Sequence, residues 1–318
     1  MTSSGSATTG RAPPRPVVKR RRRRKQIELA VLLGPALLIY LTFVVFPMVQ
    51  AGHYSFYSWN GLTSLDNFVG LDNYRAAFRD PAFRGAIEHN GMLVSLSLVV
   101  QFPIALGVAL MLNQPLRGRS LLRTIFFAPY VLSEAITGVI WLLILQPDGL
   151  ADHALRDLGL GGLVQLWLAD LNVVLFTMFV VITWKYVGFG VILFLAGLQG
   201  VPPELHEAAS IDGASAWKTL RHVTLPLLGP TVRIWAFLTV IGSIQLFDLI
   251  WIVTDGGPAD ASNTMATYMV DHGFRRYEFG YGSAVAVILF AISFVLSLGY
   301  QRFVLRRDTQ GGVTRMAG

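Results

Sequence analysis

The sequence has no cysteine, few charges and only four lysines, and each shortage closes off a class of function. Without cysteine there are no disulfides, no thiolate metal sites and no thiol nucleophile. Charged residues make up 14% of the 318 positions and hydrophobic residues 53%. Soluble domains carry about 25% charged residues, so this composition belongs to an integral membrane protein. None of Lys19, Lys25, Lys185 and Lys218 follows a glycine, and a phosphate-cradling loop needs that pair. The chain therefore has no ATP site of the Walker type. Its six histidines form no H-E-x-x-H and no pair at metal-ligand spacing. No G-x-S-x-G elbow is present either. No catalytic residue, metal or cofactor is expected on this chain.

What charge there is lies unevenly. Nine of the 26 Lys and Arg residues precede Gln26, in a tail otherwise rich in Ser, Thr, Gly and Pro. Residues 1–26 therefore read as a disordered basic tail. The run Lys19 to Lys25 would suit nucleic acid, but apolar sequence starts at Ile27, which makes the run a positive-inside anchor; no nucleic acid is expected. The apolar run to Phe46 is long for a signal peptide, and no small-x-small site follows Pro47.

Six stretches are long and apolar enough to cross a bilayer, which takes about 20 residues. They are Ile27 to Pro47, Gly91 to Asn113, Leu121 to Leu145, Asn172 to Leu198, Thr231 to Val253 and Gly282 to Val304. No extended polar–apolar alternation competes with them, so a β-barrel is disfavoured. With the N-terminus inside, the cytoplasmic segments carry 18 Lys and Arg residues and the outer loops six. That excess predicts cytoplasmic N- and C-termini. The expected architecture is an all-α, six-span domain over 27–305 of a multi-pass protein of the cytoplasmic membrane, followed by a short cytoplasmic tail over 306–318.

Between the fourth and fifth stretches lies a polar island, about 202–226. Pro202 and Pro203 suit a helix start, Glu204 and Glu207 suit its N-terminal dipole, and Gly213 after Asp212 suits its end. Small residues at Ala208, Ala209 and Ser210 would let another protein approach the backbone closely. Glu207-Ala208-Ala209, Gly213 four positions on, and Val223-x-Leu225-Pro226 together resemble the EAA loop of ABC-importer permease subunits, with Val223 standing where Ile is usual. Phe68, Gly70, Leu71, Asn73 and Tyr74 are similar to a pattern after the first span of sugar-type, MalF-like permeases. Thr254, Gly256, Gly257, Pro258, Thr264 and Tyr268 are similar to their last outer loop. Asp255 departs from the Gly often found there.

The resemblance implies a type I ABC-importer permease, a sugar or glycerol-phosphate transporter subunit working by alternating access. Its implied partners are a second, homologous permease, two copies of an ATPase that binds ATP and Mg, an extracytoplasmic solute-binding protein, and membrane lipid. It implies an ATPase-coupling role for Glu204, Glu207, Ala208, Ala209, Asp212, Gly213, Ala214, Trp217, Leu225 and Pro226.

Other polar residues inside the spans keep two readings. Lys185 lies too deep to snorkel easily; Gln245 and Asp248 are its polar companions, and Trp184 is its aromatic neighbour. Either they line a substrate path, or they make structural ion pairs and buried hydrogen bonds. Asp248 would also serve the alternative function, an ion-gradient-driven transporter working alone, although no internal repeat is visible. A membrane-embedded enzyme would need clustered polar catalytic residues, and none stands out.

Overall fold

The computed structural model describes residues 31–305. The tails expected over 1–26 and 306–318, and the start of the span expected from Ile27, lie outside these residues. Among the described residues the chain is helical and has no strand, only an isolated bridge between Tyr57 and Phe68. Four helices cross-membrane in length and apolarity are unbroken: α1 (Val31–Tyr54), α3 (Pro81–Asn113), α7 (Val174–Gln199) and α13 (Phe279–Val304). Two helix pairs are sharply bent, and counting each pair as one span brings the total to six. The helices α4 (Arg119–Val131) and α5 (Glu134–Leu145) meet at 99°, and α9 (Ala216–Leu227) and α10 (Gly229–Ile244) at 69°. The short helices are α2 (Asp72–Arg79), α6 (Leu150–Asp157), α8 (Pro203–Ile211), α11 (Asp248–Val253) and α12 (Met265–Val270).

Contacts divide the chain after Ala51. In the first unit, the described part of α1 has no buried residue, and Leu32 and Phe43 are widely exposed. The second unit holds the described residues from Gly52 onward. Its packing turns on α7, where small residues replace the hydrophobic drive that lipid does not supply. A side chain on Gly188 would collide with the Phe126 carbonyl of α4, and one on Gly190 would meet Trp235 of α10 and Ala105 of α3. Gln101 also meets Thr183. The two helices thus run the same way, and Asn113 and Gln199 share one end of this unit.

Proline shapes the spans. It cannot donate to the helix ladder, and its ring crowds the carbonyl four residues back. Wide π turns occupy Leu41–Val45, Ser97–Gln101 and Leu220–Thr224, ending just before Pro47, Pro103 and Pro226 respectively. Pro129 lies in the last turn of α4, two residues before that helix stops.

Two expected spans need correction. Leu121 to Leu145 is not one straight helix, because Leu132 and Ser133 are extended. Thr231 to Val253 is not continuous either, because α10 stops at Ile244 and α11 starts at Asp248. Helix ends at such depth must find internal partners. At the first break, the Lys185 ammonium donates to the carbonyls of Tyr130 and Leu132, and the Ser133 hydroxyl caps α5 by accepting from the Ile136 N–H. At the second, the Asn90 amide donates to the carbonyls of Ser243 (2.7 Å) and Ile244 (3.3 Å) and accepts from the Met265 N–H (2.9 Å). Thr264 donates to the Leu246 carbonyl at 2.8 Å and closes a capping box with Thr267 at the start of α12.

Candidate functional site

Two features stand apart from the packed helices: a projecting loop and a central cavity. The loop begins at Pro202, with Pro203 in the first turn of α8 and Glu204 beside it. Its end is a Schellman motif: the Ala214 N–H donates to the Ala209 carbonyl (2.9 Å) and the Gly213 N–H to the Ser210 carbonyl (3.1 Å). Gly213 has φ +72° with open space around it, so conformation rather than packing requires glycine there. Ser215 then caps α9 by accepting from the Lys218 N–H. Glu204, Glu207, Ala208, Asp212 and Gly213 are exposed, and Ala209 and Ala214 are half-buried. Ile211 (86% exposed) and Trp217 (65%) stand in solvent beside them. Leu225 and Pro226 lie at the far end of α9, where the chain turns into α10.

The cavity, of about 260 Å³, lies between α3, α4, α7 and α10. Ser97 and Gln101 reach it from the π turn of α3, Tyr130 from the last turn of α4, and Tyr186 and Phe189 from α7. Trp235, Thr239 and Ser243 come from α10. Tyr130 stacks on Phe189 with ring centres 5.2 Å apart. Hydroxyls and amides set among aromatic rings suit a polar, non-ionic ligand with apolar faces.

Of the residues picked from sequence for a substrate path, none lines this cavity. Lys185 lies behind it, 2% exposed, with its ammonium 3.7 Å from Glu134. Glu134 accepts from the Tyr186 hydroxyl at 2.7 Å. Trp184 packs edge-on against Trp141. Gln245 caps α10 and Asp248 opens α11, both exposed, in the break between those helices. Ser97, Gln101, Tyr130 and Tyr186 line the cavity without having been singled out from the sequence. Pro103 and Pro129 were the available signals, since each marks a distorted turn.

The patterns at 68–74 and 254–268 form joints between elements. Asn73 donates to the carbonyls of Ser55 and Tyr57, both at 2.9 Å, and Tyr74 bonds the Ser55 hydroxyl at 2.7 Å. Gly257–Pro258 is cis, and Asp255 has φ +54°. A left-handed residue there explains why glycine suits the position and why Asp, which tolerates that region, can replace it. Its carboxylate pairs with Arg275 at 2.6 Å, which raises the Arg275 pKa.

Long apolar helices, two bent helix pairs, a cavity between them and an exposed polar loop together describe a helical membrane protein. The profile of the family described as "Binding-protein-dependent transport system inner membrane component" matches residues 101–309. The diacetylchitobiose uptake system permease protein NgcF of Streptomyces coelicolor is 33% identical over 326 residues, covering 96% of this chain and 92% of that one. The multiple sugar-binding transport system permease protein MsmF of Streptococcus mutans is 32% identical, covering 82% and 90%. In fold, the chain is similar to one from a bacterial ABC transporter involved in alginate import, with a TM-score of 0.79 at 23% identity, covering 91% and 98%. The chain belongs to this family of ABC-importer permeases: it is a multi-pass membrane transport subunit and not an enzyme.

Proposed function

We propose that this chain is one of two permeases of an importer that carries a saccharide into the cytoplasm, driven by ATP hydrolysis on a separate subunit. The single observation that carries the reading is the loop: a helix begun at Pro203 and closed at Gly213 that offers Glu207, small residues and two exposed apolar side chains, in a chain of this family. The loop docks into a groove on the ATPase, with Glu207 as the polar contact and Ala208 and Ala209 allowing close approach. Nucleotide-driven movement of α8 passes through Gly213 and Trp217 into α9 and across the bend to α10, which lines the cavity. The cavity then opens alternately to the two sides, a two-state equilibrium biased by nucleotide and by a loaded binding protein. Saccharide as cargo is supported by the relatives' substrates and by the aromatic and hydroxyl lining. The termini lie in the cytoplasm on the basic-residue excess, with a basic tail over 1–26, a permease domain over 27–305 and a tail over 306–318.

Mild-detergent purification tests the assembly. The wild-type chain brings with it a P-loop ATPase, a second permease and, when sugar is added, a binding protein. The Glu207→Lys chain keeps the second permease, loses the ATPase and loses uptake. Normal assembly and uptake in that variant would remove the coupling role. Recovery of the wild-type chain alone, active with an ion gradient, would overturn the whole reading and turn attention to Asp248 and Lys185.

A further inference from the structure

A second pocket, of about 610 Å³, opens at the end of the second unit opposite the α8 loop. The placement follows from the parallel run of α3 and α7: their C-terminal ends carry the loop, and Asp80, at the N-terminal end of α3, lines this pocket. The turn after α1 supplies Trp59 and Asn60, α2 supplies Asn73, and the segment before α13 supplies Tyr277 and Glu278.

Its walls are fixed from behind. Tyr268 donates to the Asp80 carboxylate at 2.8 Å and bonds the Tyr281 hydroxyl at 2.9 Å. Buried His272 pairs with one Glu278 oxygen at 2.6 Å, and the Gly280 N–H donates to the Trp59 carbonyl at 2.9 Å. Burial would raise the Asp80 pKa, but hydrogen bonds from Tyr268 and from the N–H groups of Ala82 and Phe83 outweigh it, so it lies below the ordinary carboxylate value. Tyr277 stands 57% exposed at the rim with φ +58°. A left-handed, non-glycine residue of this kind is held by its surroundings and clusters at binding sites.

The uncommitted atoms choose the ligand. The Asn60 carbonyl oxygen is fully used, accepting from the N–H groups of Leu62 and Thr63 and from the Thr63 hydroxyl, which leaves its amide nitrogen as a donor. The Asn73 amide nitrogen is used twice, which leaves its oxygen as an acceptor. Glu278 keeps a second oxygen. The Trp59 N–H is committed to the Thr63 carbonyl, leaving its ring to pack. An anion would face two carboxylates. A simple cation would leave the Asn60 donor unmatched, and an apolar ligand would strand every polar atom. Hydroxyl groups both donate and accept, and a sugar ring offers an apolar face to an aromatic one.

We propose that this pocket is a saccharide-binding site distinct from the central cavity, holding cargo at the outer mouth before it reaches the cavity. The proposal rests on the saccharide-importer reading above. It is tested on the assembled importer in nanodiscs, with diazirine-tagged N,N′-diacetylchitobiose, arabinotriose and maltose as probes. Labelled peptides are expected to include 58–63 and 277–281. Asn60→Asp keeps the acceptor that holds the turn and removes the free donor, so it should cut labelling of these peptides severalfold and raise the uptake KM severalfold at unchanged kcat. Trp59→Ala should abolish the labelling while leaving cavity peptides labelled. Label confined to cavity peptides, an unchanged KM in Asn60→Asp, or a pocket found filled by cross-linked binding protein would each overturn the site. Failure of the importer reading is distinguishable: the wild-type chain would then purify without a P-loop ATPase, and both conclusions would fall.

Discussion

The chain leaves the helix in two kinds of place, and it satisfies the loose backbone differently in each. Around Gly213 the break is exposed, and neighbouring residues close it: the Ala214 N–H donates to the Ala209 carbonyl and the Gly213 N–H to the Ser210 carbonyl. Around Leu132 and around Gln245 the breaks lie between packed helices, and the donors to their freed carbonyls come from other helices. Lys185 on α7 serves the first, and Asn90 on α3 the second. The lesson is one of solvent. In water a helix can end on its own sequence; within a membrane its freed carbonyls need a donor carried by a neighbour. The buried breaks are therefore tied to packing, and the exposed one is free to move as a unit.

The largest effect should come from Lys185→Met. The variant removes an ammonium that caps the end of α4 and leaves Glu134 with only the Tyr186 hydroxyl. A cation at a helix C-terminus is favourable, and breaking a buried pair from one side costs about 3–5 kcal/mol. Thermal unfolding of the purified importer in detergent measures it. The double variant Lys185→Met with Glu134→Gln should regain part of the loss, because no carboxylate is then stranded. A single variant as stable as wild type would show that the α4 carbonyls have another donor.

Asn90→Leu should come next. It strands two carbonyls and the Met265 N–H in a packed region, at a cost of about 1–3 kcal/mol for an unsatisfied buried group. Its signature is local. Hydrogen exchange should rise at 243–246 and at 264–267, where Asn90 joins α10 to α12, before it rises elsewhere. Uniform exchange across the chain would separate Asn90 from the break.

The same contrast explains what could be read in advance. The α8 loop was legible because its start and its turn are written in local residue types: Pro202, Pro203 and Gly213. The apolar stretches were legible as spans because their length is a local property. The bends were not, since Lys185 is 53 positions from Leu132 and Asn90 is 153 from Ser243. Pro103 and Pro129 signalled distortion without saying where the chain would turn. Depth alone made Lys185 conspicuous, and its partners, the carbonyls of Tyr130 and Leu132, have no side-chain signature to search for. The cavity was hidden for the same reason: Ser97 and Gln101 are ordinary span residues until the π turn before Pro103 presents them to α10.

The smallest effect on stability, and the sharpest test of the contrast, is Gly213→Ala. A left-handed residue other than glycine costs about 1–2 kcal/mol, and here no neighbour stands close enough to add a clash. If the loop is an independent unit, the cost should appear only there. Thermal unfolding of the spans should stay within about 1 °C of wild type, since the cost falls on a segment that unfolds locally. Protease nicking between Ile211 and Trp217 should rise, and uptake should fall together with ATPase attachment. Gly213→Asn should recover most of both, because Asn enters the left-handed region at little cost. If Gly213→Ala instead lowered the melting point as much as Asn90→Leu does, the loop would be part of the packed bundle, and the distinction between breaks closed within one segment and breaks closed by other helices would fail.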